Sequence, residues 1–378
     1  MKVIFYGTYR KNYTANRVLY KGLTRCGATV YECQVDFLAE TKWNKKTLKN
    51  PLSLLKLAAG FLWSQIRLAF KFLRLPKADF MLVGYPGQMD MPLAWLLSRI
   101  RKMPLVFYAF LSYYDTFIID RKVASKNSLF AKTMKFLDTF SCNLADIVIL
   151  DTQAHIDYFH ETFGIPEEKM FRLFSGTDDD VFKPREVEKT TDKFVVIYFG
   201  YFIPLHGLEY IIEAAARLKD HEDIEFWMIG DGQEMPRIKA LIDKHNLKNV
   251  ILFGKKPLEE LPEYIAQADV CLGVFGDTPK ARRVIPYKFY ESAAMKKVVI
   301  TGESEAIKEA LESGVHLVTV PMADPEAIAS AIMELKQNPD MRYQIAENAH
   351  KIFKNQFAPE KTAEELLKRV KSLLETRK

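Results

Sequence analysis

Cysteine is scarce. The 378 residues include only Cys26, Cys33, Cys142 and Cys271, with no C-x-x-C pair and no metal-ligand spacing. That argues against a disulfide framework and a thiolate zinc site, and it points to a reducing compartment, the cytoplasm. No uncharged apolar run approaches the ~18 residues needed to span a bilayer. The opening Met1-Lys2-Val3-Ile4-Phe5-Tyr6-Gly7 is too short for a signal peptide and reads as a first strand. No Gly-x-Gly-x-x-Gly follows either leading strand, which disfavours a dinucleotide-dependent dehydrogenase. The acidic run Asp178-Asp179-Asp180 reads as a solvated turn rather than a metal motif. His155 and His160 stand five apart, not at helical i, i+4, so no histidine metal pair is expected. No DNA- or RNA-binding motif is present, and no nucleic-acid partner is expected.

Acid is missing from one long stretch. Between Glu40 and Asp79 there is no Asp or Glu, while nine Lys and Arg fall there. The net charge of the chain is +6, so everything outside this stretch is net negative. The basicity is therefore local and calls for a local partner, an anionic membrane surface or anionic ligand. Residues 52–75 are very apolar, with Arg67, Lys71 and Arg74 on one helical face and Lys56 three turns earlier on the same face. Two readings fit this pattern. One is an interfacial helix attracted to anionic lipid, with Trp43 and Trp63 at the interface. The other is a domain helix whose cationic stems reach outward past a buried apolar face.

The rest is rich in core-forming residues: 48% hydrophobic, with 26 Phe and 17 Tyr. That supports folded domains and, at this length, two of them. Short β-branched or apolar runs at 3–6, 29–35, 80–83, 105–109 and 147–150 alternate with helical patterns. The alternation restarts at 194–199 and continues through 224–229, 250–253, 270–273, 298–301 and 317–320. Strand–helix alternation predicts α/β architecture with parallel sheets: two Rossmann-like doubly wound domains. A polar, charged linker covers 182–192. The expected organisation is a first domain over 1–186, a second over 187–358 and a C-terminal helical segment over 359–378. Ligands in such sheets bind beyond the carboxyl ends of strands, so two facing sheets would aim their loops at one cleft.

Two segments of the second half carry candidate chemistry. After the 194–199 strand comes Gly200-Tyr201-Phe202-Ile203-Pro204-Leu205-His206-Gly207, then a helix. Such a loop is either a phosphate cradle of backbone N–H groups or an ordinary strand–helix turn. Farther on, Lys280, Arg282, Arg283 and Lys288 crowd into nine residues before and at a helix start, around Pro286 and Tyr287. That suits an anionic phosphate group, and Glu291 one turn later suits ribose hydroxyls; the bland alternative is a solvated basic loop.

These segments, taken in order with Ile229-Gly230-Asp231-Gly232, Phe253-Gly254-Lys255, Ala268-Asp269-Val270, Pro286-Tyr287-Lys288-Phe289-Tyr290-Glu291 and Asp324-Pro325-Glu326, resemble the nucleotide-sugar domain of family 4 retaining glycosyltransferases. The resemblance covers about 194–340 and implies a GT-B fold, a nucleotide-diphosphate sugar donor, no cofactor and no metal. It implies donor contacts from Gly200, Tyr201, His206, Gly207, Gly230, Lys255, Arg282, Arg283, Pro286, Tyr287, Lys288 and Glu291. Glu291 matches the second Glu of the family's paired-glutamate motif, whose first falls on Arg283 here. The family's usual diphosphate cations fall on Tyr201 and His206, the latter partly protonated at best. Lys288, Arg282 and Arg283 are expected to supply the charge instead.

In the first half, Gly7-Thr8-Tyr9-Arg10-Lys11-Asn12-Tyr13 with Arg17, and 108–115, follow strands. By the same resemblance Tyr9, Arg10, Arg17 and Ser112 are expected to touch the acceptor. Asp115, with Lys288 and Glu291, is expected at the catalytic centre; the alternative is that Asp115 caps the next helix. The implied activity is retaining, metal-independent transfer to a saccharide or lipid-linked acceptor, in cell-surface glycan or glycolipid synthesis. The implied place is the cytoplasm, with peripheral attachment to the inner face of the membrane through 42–77. The competing reading is a non-catalytic or epimerase-like GT-B protein that binds a nucleotide sugar.

Overall fold

The computed structural model describes residues 1–37 and 51–377, so Trp43 and Lys42, Lys45, Lys46 and Lys49 of the basic stretch lie outside the described residues. The chain divides into two compact units, Met1–Phe174 with Pro359–Lys378, and Ser175–Ala358. The division falls at Ser175, so residues 175–186, expected in the first domain, are part of the second unit. The physical reason is local packing: Phe182 is buried, and the Tyr287 hydroxyl donates to Ser175 Oγ at 3.2 Å.

Unit 1 is built on six strands: β1 (Lys2–Gly7), β2 (Thr29–Gln34), β3 (Phe80–Val83), β4 (Leu105–Tyr108), β5 (Ile147–Leu150) and β6 (Met170–Arg172). All pair in parallel, in the order β2-β1-β3-β4-β5-β6. Every residue of β3, β4 and β5 is buried, as in a parallel sheet covered on both faces. The covering helices are α1 (Thr14–Arg25), α2 (Pro51–Leu73), α3 (Met91–Ile100), α4 (Leu129–Leu144) and α5 (Gln153–Phe163). Right-handed crossovers place α1 on one face and α2 to α5 on the other. The core agrees: Leu68 and Phe72 of α2, Ala94 of α3, Cys142 of α4 and Phe159 of α5 pack against Ile4, Tyr6, Leu105 and Val148. Local signals set the boundaries. Ser128 and Thr152 accept from Ala131 and His155 N–H to cap α4 and α5, and left-handed Gly164 ends α5.

Unit 2 repeats the plan with β7 (Phe194–Phe199), β8 (Ile224–Ile229), β9 (Val250–Gly254), β10 (Val270–Leu272), β11 (Val298–Gly302) and β12 (Val318–Val320). Their order is β12-β11-β10-β7-β8-β9, the doubly wound dinucleotide-fold arrangement. Its helices are α6 (Leu208–Arg217), α7 (Met235–His245), α8 (Leu261–Gln267), α9 (Tyr287–Ala294), α10 (Glu305–Lys308), α11 (Pro325–Gln337) and α12 (Pro339–Ile352). The final helix, α13 (Pro359–Thr376), belongs to unit 1, where it packs on α1. No described helix is long and apolar enough to cross a membrane.

Candidate active site

In a doubly wound sheet the ligand crevice opens where neighbouring strands send their connections to opposite faces. In unit 2 that point lies between β7 and β10, so residues 200–207 and 273–286 frame it. The two loops interlock. Phe275 N–H donates to the His206 carbonyl at 3.1 Å. A Cβ on Gly207 would lie 2.4 Å from Gly276 N, and Gly207 has φ +61°, so both space and backbone require glycine. Gly230, at the end of β8, is explained by packing. A Cβ there would meet the Gly200 carbonyl at 1.8 Å, so its absence lets the β7 loop lie down.

Lys288, in the first turn of α9, is buried. Its ammonium sits 4.6 Å above the Tyr198 ring and beside Gly200, where a Cβ would be 3.2 Å from Nζ. Burial pushes its pKa down to about 8, against the pull of the Glu291 carboxylate. Glu291 is buried one turn on. The helix therefore brings the expected cation and carboxylate to one place.

His206 is not a cation. Its Nδ1 lies 2.6 Å from both the Tyr201 carbonyl and the Tyr198 hydroxyl. A carbonyl only accepts, so Nδ1 bears the hydrogen and Nε2 keeps a lone pair. Tyr198 O–H donates to the same carbonyl at 2.9 Å. Burial first, then Lys288 and Lys280, hold the imidazole well below the usual histidine pKa. Tyr201 contributes that carbonyl to the loop, while its ring is exposed.

The basic loop resolves into unequal parts. Arg282 pairs with Asp277 at 2.7 Å, both about half exposed, a pairing of little energetic weight. Arg283 is half-buried in the turn Ala281–Arg283. Pro286 is the extended residue that starts α9, and Tyr287 is turned to Ser175. Lys255 is exposed just after β9, and β8 lies between β9 and β7 in the sheet. Lys280, absent from the expected contacts, is 4% exposed and close enough to His206 to depress it. It was visible as the first of four crowded cations; nothing in the sequence marks it as the buried one. Asp178 also departs from expectation. It is buried, its Oδ1 accepts from Asp180 N–H, and its carbonyl accepts from Val181 and Phe182, while Asp179 is half-buried and Asp180 exposed, so the turn is solvated only in part.

Unit 1 has its own switch point, between β1 and β3. Here Asp90 is buried and accepts from Thr8 N (2.7 Å), Thr8 Oγ1 (3.0 Å) and Gln65 Nε2 (2.7 Å), joining the loops after both strands. Tyr9 is inside the unit. It is 2% exposed, donates its hydroxyl to Glu32 at 3.2 Å and packs on Phe5, so its ring is structural rather than an acceptor contact. Ser112 is likewise structural. Its hydroxyl donates to Asp138 at 2.6 Å and accepts from Asp115 N–H at 2.9 Å. Asp138 also accepts from Tyr113 and Tyr114 N–H, at 3.0 and 2.9 Å. Burial raises both Asp90 and Asp138 to about 6 despite these bonds. Asp115 is buried as the first residue of a π-helical turn, Asp115–Asp120, in which Tyr114 holds the N-cap position. Arg10 is exposed and Arg17 half-buried in α1.

Sequence reasoning missed an aromatic wall. Tyr13, Tyr85 and Phe110 come from three separate loops, with ring centroids 5.0 to 6.0 Å apart. Phe110 is buried at 3% exposed, so Tyr13 and Tyr85, both half-buried, are the rings this wall presents.

Residues 179–352 match the family described as glycosyl transferases group 1. The chain is 26% identical over 270 residues to the alpha-D-kanosaminyltransferase of Streptomyces kanamyceticus, covering 68% of this chain and 67% of that protein. It is 25% identical over 216 residues to the lipopolysaccharide core biosynthesis glycosyltransferase LpsE of Rhizobium meliloti, covering 57% and 61%. In fold it is similar to Anabaena HepE, solved with UDP, at TM-score 0.69 and 19% identity over 98% of this chain and 100% of that one. It is also similar to the sucrose-phosphate synthase of Thermosynechococcus elongatus, at TM-score 0.74 and 16% identity over 99% of each. The chain is a glycosyltransferase of the GT-B type, and its residues 179–352 form a glycosyl transferases group 1 domain.

Proposed function

We propose that this enzyme is a retaining, metal-independent transferase that moves a hexosyl group from a nucleotide-diphosphate sugar to a saccharide or lipid-linked acceptor, in cell-surface glycan or glycolipid synthesis. The observation that carries the reading is Lys288. It is a buried cation at the β7/β10 switch point, against a glycine loop and one turn from Glu291. A diphosphate leaving group needs positive charge as its bond to the sugar breaks. Lys288, Lys280 and Arg283 supply that charge from the protein, while neutral His206 offers Nε2 as an acceptor. Glu291 takes the ribose hydroxyls. The acceptor proton passes to the departing phosphate oxygen on the same face of the sugar, so the protein positions and stabilises rather than attacks. UDP is the first donor nucleotide to test, since the solved Anabaena relative binds it. Unit 1 is read as the acceptor side, with Arg10, Arg17, Tyr13 and Tyr85 as candidate contacts. The protein is read as cytoplasmic and peripheral on the inner membrane face through 42–77.

The test is thermal stabilisation by UDP, GDP, ADP, CDP and TDP, with and without EDTA, followed by donor turnover. One nucleotide raising the melt, indifferent to EDTA, with turnover on adding acceptor, is expected. Turnover abolished by EDTA overturns metal independence. Binding without turnover favours the non-catalytic reading, which the replacements at Tyr201, His206 and Arg283 motivate, and donor consumption without acceptor favours the epimerase-like one.

A further inference from the structure

The outward side of the α2–α5 layer is unusually apolar. On α2, Leu55, Leu62, Ile66 and Phe70 recur at helical spacing on the side away from the core residues Leu68 and Phe72, and all are at least 46% exposed. Trp63 is 61% exposed beside them. The next helix, α3, exposes Trp95 and Ile100, and α4 beyond it exposes Phe136 and Phe140, whose rings stack at 5.4 Å. The three helices are successive neighbours in one layer, so these side chains form one face. A contiguous apolar face of this kind marks an interaction surface.

Charge identifies the occupant. The three helices expose no carboxylate, because their single acid, Asp138, is buried under Ser112. Their basic residues are Lys56, Arg67, Lys71, Arg99, Lys132 and Lys135, of which Arg99 pairs with Asp146 at 2.9 Å. Arg67 and Arg74 are exposed along one edge of the α2 stripe; Lys71 reaches the Gln34 carbonyl at 3.2 Å. An apolar stripe flanked by cations and rich in Trp and Phe is the make-up of a surface that lies in the headgroup region. We infer that the combined outer face of α2, α3 and α4 is a docking surface for an anionic lipid bilayer. The inference rests on the peripheral-membrane reading above and extends it to α3 and α4, which carry none of the acid-free sequence that motivated it.

The test is sedimentation of the full chain with vesicles of equimolar phosphatidylcholine and phosphatidylglycerol, and with phosphatidylcholine alone. Binding to the anionic vesicles, weakened by salt and by Arg67→Glu with Arg74→Glu, is expected. Phe136→Ser with Phe140→Ser on α4 is expected to lower the partition ~tenfold or more, with an unchanged melting temperature. In a protein carrying Trp43→Phe and Trp63→Phe, quenching by brominated lipid reads Trp95, since Trp227 is buried. If the α4 pair binds as wild type and Trp95 is not quenched, the three-helix face is overturned while the 42–77 reading stands. If no variant and no wild type binds, both fall. A concentration-dependent dimer in sedimentation velocity that the α4 pair abolishes also overturns the inference, because the face then belongs to a second copy. The nucleotide melting shift, read alongside, keeps all of these separate from the donor-site proposal.

Discussion

An ammonium held over an aromatic ring and away from water keeps its proton only where its surroundings compensate it. For Lys288 that compensation is the Tyr198 face and the Glu291 carboxylate. Lys288→Met is expected to weaken UDP binding by ~1.5–3 kcal/mol, the range for hydrogen bonds to charged groups, and to lower the melting temperature, because Glu291 is left buried without its cation. Isothermal titration and thermal melts check this together. Because Lys288 loses its proton near a pKa of about 8, nucleotide affinity should fall as pH rises through that value, and Lys288→Arg should flatten the fall. Asp90 and Asp138 work in the opposite sense. Both hold protons more tightly folded than unfolded, from an ordinary 3.8 up to about 6. Their contribution to stability is therefore full below about 4 and lost as pH rises through about 6. Urea melts compared at about pH 7 and about pH 5 should show a smaller gain on acidification in Asp138→Asn than in the wild type. Asp138→Asn should also cost ~1–3 kcal/mol, since the added NH₂ faces donors.

At the scale of elements, α1 and α13 meet at a glycine. A Cβ on Gly22 would lie 1.9 Å from the Pro359 carbonyl, so the two helices touch backbone to side-chain-free backbone. Gly22→Ala is expected to destabilise unit 1 by ~1–3 kcal/mol through overpacking, measurable by denaturant melts. Elements are also where the sequence was most readable. Buried parallel strands are dense β-branched and apolar runs, so 80–83, 147–150, 194–199 and 224–229 coincide with β3, β5, β7 and β8. β6 was not recognised. It has three residues, ends in exposed Arg172 and lies at the sheet edge, so neither burial nor alternation marks it. Site residues divided along the same line. Lys288 and Glu291 are one turn apart on one helix, and local spacing finds such a pair. The buried bonds of Tyr9 and Ser112 are not legible locally, because their partners, Glu32 and Asp138, are 23 and 26 residues away. A polar residue after a strand looks the same whether it faces a ligand or a buried carboxylate. The aromatic wall was missed because it exists only once three loops converge.

For the whole molecule, the repeated strand–helix alternation announced two doubly wound units, and their strand orders follow from ordinary crossovers. The boundary was harder to place, because a charged linker marks where the chain is solvated and not where packing begins. Unit 2 is contiguous in sequence, whereas unit 1 is made of two pieces that flank it. A chain ending at Ala358 is expected to keep the unit 2 melting transition and nucleotide shift while unit 1 melts earlier, which calorimetry would resolve. The same arrangement has a meaning during synthesis. The strands of unit 1 leave the ribosome first, yet the layer over α1 closes only after all of unit 2 has been made. A nascent chain paused once Ala358 has emerged carries a finished unit 2 and a unit 1 with the buried face of amphipathic α1 partly uncovered. Chaperones that read exposed apolar surface would hold this protein until α13 emerges, and the delay would be set by the length of unit 2.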